Sequence, residues 1–224
     1  MATVRLGILG EELSGSAGNT TFVRTPYGTV VRNRTTPRNP RTPAQTAARR
    51  CVARAGEAWL NLTLEQADAW REYADALAAA QGEVGSPLYT RVQTVFSKLA
   101  IKYLQVHPDG SVPPCPPTGA FYGDRIQVQC TAGAPGSSEL VFSASAPSGA
   151  GIFVEMLAQP LASPHRKAFS RNYRSQGFVE FTADQLSHTV PVKAGWYATA
   201  YRFVEAATGR ATDLTQLPRL RVEA

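Results

Sequence analysis

Seven arginines and no carboxylate occupy the stretch FVRTPYGTVVRNRTTPRNPRTPAQTAARRC, residues 22–51. Guanidinium groups make planar, bidentate contacts with carboxylate or phosphate, so a run of them without counter-charge implies a polyanion or an acidic protein surface as partner. Arg24, Arg32, Arg34, Arg38, Arg41 and Arg50 are the candidate interface residues, with Arg49 and Arg54 extending the set. Residues 1–54 hold nine Arg against Glu11 and Glu12, a balance of +7, so with a net charge of +6 the rest of the chain sums to −1. The surplus basicity is confined to the first quarter.

Other reactive side chains are not spaced for catalysis. His107, His165 and His188 lack HExxH or HxH spacing and are expected in a linker, a loop and a strand start as ordinary polar residues. Cys51, Cys115 and Cys130 form no CxxC or CxxH pair. Cys51 and Cys130 fall on apolar faces and read as small core residues, and a Cys115–Cys130 bridge is left open. GSAG and PSGAG are too short for a phosphate loop and lack the following Lys, and no GxSxG elbow occurs. Glu65, Asp68, Glu72 and Asp75 give one helix an acidic face, read as solvated surface with Arg71 as a pairing partner. No enzyme is expected, and no cofactor or metal.

The elements that carry the arginines are a hairpin and a strap. TPYG places Pro26 at the second turn position and Gly28 where a glycine bulge closes a type I turn, which predicts a hairpin from about Thr20 to Arg34 with Phe22 and Val30 along it. Val4, Leu6 and Ile8 alternate as a further strand, and GEELSGSAGN between reads as flexible. A lone hairpin is barely stable, so its covering surface must come from elsewhere. Pro37, Pro40 and Pro43 favour extended backbone.

Thr42-Pro43-Ala44-Gln45 then caps a helix with Ala44, Ala47, Ala48, Cys51, Val52, Ala55, Trp59 and Leu62 on one face. Thr63-Leu64-Glu65-Gln66 opens a second, striped by Ala67, Trp70, Tyr73, Ala74, Leu77 and Ala78, ending near Gly82. Ser86-Pro87 caps a third, with Leu88, Val92, Val95, Phe96, Leu99 and Tyr103 inward. Trp59, Trp70, Tyr73 and Phe96 read as core.

HPDGSVPPCPPTG, residues 107–119, holds five prolines and two glycines and reads as a linker. Beyond it the period changes from 3.6 to 2: the alternation at Ile126, Val128 and Cys130 is followed by ELVFSAS, GIFVEML, GFVEFT, HTVPV, GWYATAYRFVEA and TQLPRLRVEA. Short strands separated by turns predict an antiparallel sandwich of fibronectin type III or immunoglobulin type, the former preferred because the antibody-type disulfide is missing. Trp196 is expected to be buried, with Tyr197, Tyr201 and Phe203 on the opposite face, either an exposed contact surface or the second side of a core. The fold class is therefore α+β in two domains. An arm spans 1–42, a three-helix domain 43–106, a linker 107–119 and the sandwich 120–224.

With 224 residues and 43% apolar content the chain has material for a sizeable core. MATVRLGILGEEL has no cationic start followed by a long apolar run, and no stretch approaches the length a bilayer needs, so a protein made in a cytoplasm and kept off the membrane is expected.

The order of words in GSAGNTTFVRTPYGTVVRNRTTPRNPRTPAQTAAR and AWLNLTLEQADAWREYA resembles a group of largely uncharacterised proteins of phages, prophages and environmental bacteria. Their pattern is a glycine-rich turn, a hairpin, a P-x-NP-x-T-x-AQ strap and a W-x-x-LT-x-x-Q-x-x-AW segment. It is met here by Gly15, Gly18, Phe22, Arg24, Gly28, Arg32, Pro37, Asn39, Pro40, Thr42, Gln45, Trp59, Leu62, Thr63, Gln66, Trp70 and Tyr73, over residues 14–74. Ala67-Asp68 replaces the usual basic residue. The resemblance implies a virion or particle component with a C-terminal sandwich, a homo-oligomer or a partner of other virion proteins, assembled in the bacterial cytoplasm. Nucleic-acid binding through the arginines and a carbohydrate-binding or adhesive sandwich are the alternatives.

Overall fold

The computed structural model describes residues 2–4, 14–36, 38–81 and 88–223. It divides into two compact units, Met1–Gln45 and Thr46–Ala224.

The first unit is a four-stranded antiparallel sheet of β1 (Ala2–Val4), β2 (Gly15–Ala17), β3 (Thr20–Thr25) and β4 (Gly28–Asn33), in the order β1-β4-β3-β2. The predicted hairpin is β3 and β4, paired from Thr20↔Asn33 to Thr25↔Gly28. Gly28 has φ +118°, a value that L side chains rarely adopt and that the bulge after Pro26-Tyr27 requires. Gly15–Ala17, expected to be flexible, forms a strand because Gly18, at φ +56°, turns the chain tightly back into β3. The remainder of the expected Val4, Leu6 and Ile8 strand lies outside the described residues. After β4 the strap ends in a kink: Arg41 has φ +48°, and its N–H donates to Asn39 Oδ1 at 3.3 Å.

Helix α1 (Pro43–Leu60) starts where its cap was predicted, with Gln45 N–H donating to Thr42 Oγ1 at 3.3 Å. Helix α2 (Leu64–Gln81) is opened by a reciprocal capping box, Thr63 N–H to Gln66 Oε1 at 2.9 Å and Gln66 N–H to Thr63 Oγ1 at 3.3 Å. Helix α3 runs Leu88–Val106; its expected Ser86-Pro87 cap and the Gly82 stop of α2 lie outside the described residues. The helices share a core of Ala55, Trp70, Ala74, Val92, Phe96 and Ala100. Phe96 lies between Trp70 and Trp59, with ring centroids at 5.0 and 5.3 Å. The predicted α1 face is only half used: Ala44, Ala47, Ala48 and Val52 are exposed, and packing begins around Cys51 and Ala55.

Eight strands follow: β5 (Val128–Ala132), β6 (Glu139–Ala144), β7 (Ile152–Leu161), β8 (Arg174–Val179), β9 (Ser187–Pro191), β10 (Gly195–Glu205), β11 (Thr215–Gln216) and β12 (Leu220–Val222). They form two antiparallel sheets, β5-β6-β9 and β11-β10-β7-β8 with β12 also on β10. Leu140 and Phe142 of one sheet and Val154, Met156, Tyr197, Tyr201 and Phe203 of the other meet in a single core. The β10 tyrosines therefore line the sandwich interior. Trp196, expected to be buried, is half-buried on the opposite face beside Leu161 and Ala198, with Tyr173 of the long β7–β8 connection over them. Both faces of β10 are covered, so alternation by itself could not say which was the core. Tyr197 Oη donates to Lys193 O at 2.8 Å, tying the start of β10 to the preceding corner.

The helices cover part of the outer face of the larger sheet, making three layers within one unit. At the crossing, His107 Nε2 lies 3.1 Å from Ala206 O, and a Cβ on Gly209 (φ +74°) would overlap the α3 backbone at Leu99 and Tyr103. The expected divide at 107–119 thus falls inside the second unit. Its prolines are bound to the helices: Trp70 Nε1–H donates to Pro114 O at 2.8 Å, and Arg54 donates to the carbonyls of Pro108 and Gly110. The predicted linker is a fastened strap.

Candidate functional site

The register of the N-terminal sheet sets where the arginines go. Phe22↔Val31 and Arg24↔Thr29 share one face with the backbone positions of Ala2 and Val4, while Val23↔Val30 shares the other with Arg32. Arg24 and Arg32, read together from the sequence, are therefore on opposite faces. Arg34, Arg38, Arg41, Arg49 and Arg50 follow on exposed backbone and the exposed first turns of α1. Arg54 is withdrawn from the basic set by its two backbone carbonyl partners. Phe22 and Val30 are half-buried, Pro26 and Gly28 exposed, and Tyr27 at the turn is 94% exposed. Among the described side chains of this unit only Thr29 is buried.

The acidic α2 face is present as read. Glu65, Asp68, Glu72 and Asp75 are all exposed, and Asp68 pairs with Arg71. His165 is exposed and His188 half-buried. The three cysteines are free, so Cys115 and Cys130 are not bridged, and burial pushes the Cys130 thiol up to about 11. Among the described residues no group of three or more His, Cys, Asp and Glu is placed to hold a metal, and no helix is long and apolar enough to cross a membrane.

A second constellation was not read from the sequence. Glu155, 1% exposed, projects from β7 beneath α3. Lys102 Nζ donates to its Oε1 and Oε2, both at 3.0 Å, and Arg202 Nε, from the paired position on β10, to Oε2 at 2.5 Å. Burial raises the Glu155 carboxyl, but the Arg202 hydrogen bond and the Lys102 and Arg202 charges outweigh it and hold the group below its ordinary value. The Lys102 ammonium is lowered chiefly by burial, with Arg202 adding to the effect and Glu155 opposing it. It also sits 5.2 Å from the Phe178 ring centre.

Lys102 and Arg202 border a cleft of about 830 Å³ between α2, α3 and the outer face of the larger sheet. Lys98, one turn before Lys102, and Arg210 line it too, with Tyr73, Leu77, Val95, Leu99 and Phe121 as apolar wall. Arg210 is committed elsewhere, through Nε to Glu205 at 2.9 Å and Nη1 to Gly119 O at 2.7 Å. The sequence signal was slight: Glu155 is the one charge in the apolar run GIFVEML, and Arg202 shares GWYATAYRFVEA with Glu205 alone.

No family model matches the chain, and no curated protein matches it significantly. Among solved structures it is similar to the fibronectin type-III domain of human fibronectin type III domain containing protein 3, at 10% identity and TM-score 0.31, over 48% of this chain and 93% of that one. It is also similar to the fn3 domain of human collagen alpha-1(XX) chain, at 12% identity and TM-score 0.28, over 48% and 94%.

Proposed function

We propose that this chain is a non-enzymatic structural subunit of a phage-like particle, a capsid-associated, tail or fibre component that assembles through its basic N-terminal sheet and strap. The particle itself is suggested by the word order of residues 14–74, which resembles phage and prophage proteins. The observation that carries assembly is the N-terminal sheet: apolar Phe22 and Val31 on one face and Val23 and Val30 on the other are only half-covered, and Thr29 alone is buried among its described side chains. A sheet with apolar residues on both faces is stable only when another layer covers it. Splitting Arg24 and Arg32 between the faces suits a sheet inserted between acidic neighbours better than one laid on a single phosphate backbone.

The C-terminal half is read as a fibronectin type III-like module. Its support is the exchange of strands between sheets, with β5, β6 and β9 facing β7, β8, β10 and β12, and the Tyr197 bond to the corner before β10, a device of immunoglobulin-type sandwiches. Tyr197, Tyr201 and Phe203 belong to its core and so offer no aromatic platform for a sugar.

Light scattering on the full chain and on a chain lacking residues 1–42 tests the assignment. The full chain should form a concentration-dependent oligomer that the shortened one loses. A full chain that stays monomeric at every concentration and binds DNA with steep salt dependence would replace this reading with the nucleic-acid one.

A further inference from the structure

We propose that the cleft between α2, α3 and the outer face of the larger sheet is a binding site for a phosphomonoester carried on an apolar or aromatic body. Charge sets the head group. Arg210 is neutralised by Glu205, and the Lys102–Glu155–Arg202 cluster keeps one positive charge in excess. Lys98, exposed one turn away, makes no hydrogen bond or ion pair among the described residues and adds a second. Two surplus cations on one cleft match a dianion better than a monoanion. Glu155 engages Arg202 only through Nε, which leaves the Nη groups for a ligand oxygen.

The walls set the body. Leu77, Val95, Leu99 and Phe121 are apolar, and the volume of about 830 Å³ is that of a small-molecule site. Tyr73 lines the cleft, and its phenol, protonated at neutral pH like any tyrosine, can donate to an acceptor there. The buried Glu155 fixes Lys102 and Arg202 before any ligand arrives, which lowers the ordering cost of binding. All of the residues that line this site belong to the second unit.

Titration of the full chain with phenyl phosphate, inorganic phosphate and benzoate, followed by backbone amide shifts, tests the proposal. Phenyl phosphate should perturb α3 and β10. Inorganic phosphate should bind about tenfold more weakly for want of the ring's burial, and benzoate about fivefold more weakly for want of the second charge. Lys98→Gln should lower phenyl phosphate affinity about fivefold and Lys98→Glu further, both with unchanged melting because the side chain is exposed. No shift at millimolar phenyl phosphate, equal affinity for inorganic phosphate, or Lys98 variants that bind normally would each overturn it.

Discussion

A carboxylate removed from water survives ionised only where cations meet it, and Glu155 meets both Lys102 and Arg202. Glu155→Gln leaves those cations facing a neutral amide, so the variant should lose about 3–5 kcal/mol of stability at neutral pH, read by denaturant unfolding. The loss should depend on pH. Because the folded carboxyl lies below its ordinary 4.5, its contribution is complete above that value and disappears as pH falls through the lower, folded value. Melting curves of the two proteins should therefore converge in acid, and a constant gap would mean that the charge of Glu155 is not what stabilises. Glu155 stands in the sequence as the one charge of its strand, and Arg202 shares its own only with Glu205. What the sequence could not supply was the register that pairs position 155 with 202, or the helix that brings Lys102 over them.

Helix α3 shows how an element can be read correctly in kind and incompletely in role. Val92 and Phe96 were recognised as inward, and they do face α1 and α2, but Ala100 and Leu104 are buried as well. Leu99 and Tyr103, read as part of that same inward stripe, lie with Lys102 on a second side against the sheet. A helix between two layers has two buried stripes, and a single-face template merges them into one. The N-cap of α1 and the capping box of α2 were legible because every participant lies within four residues; contact between α3 and the turn after β10 joins residues a hundred positions apart. Gly209 makes that contact. Gly209→Ala combines an unfavourable φ with overlap on the α3 backbone and should cost about 2–4 kcal/mol in the unfolding midpoint. A shift of less than a degree would mean that helix and turn do not approach this closely.

Across the whole molecule, the strand runs and the change of period near residue 107 were legible because periodicity is local, whereas the division of the chain was not. A segment with five prolines reads as a spacer, yet Trp70 and Arg54 hold its carbonyls, and the boundary between compact units falls at residue 45 instead. Hydrogen bonds from distant side chains leave no mark on composition. That boundary is rich in sites for a protease. Arg34, Arg38, Arg41, Arg49 and Arg50 are all exposed on strap backbone or the uncovered first turns of α1. Trypsin should nick the free chain there first and leave a resistant fragment beginning near Thr42 or Cys51, identified by mass spectrometry. A chain cut first inside the sandwich would contradict this exposure. The same nicking gives a clock for assembly: if neighbours close over the strap, its arginines should become slow to cleave while the rest of the digestion pattern stays as it was.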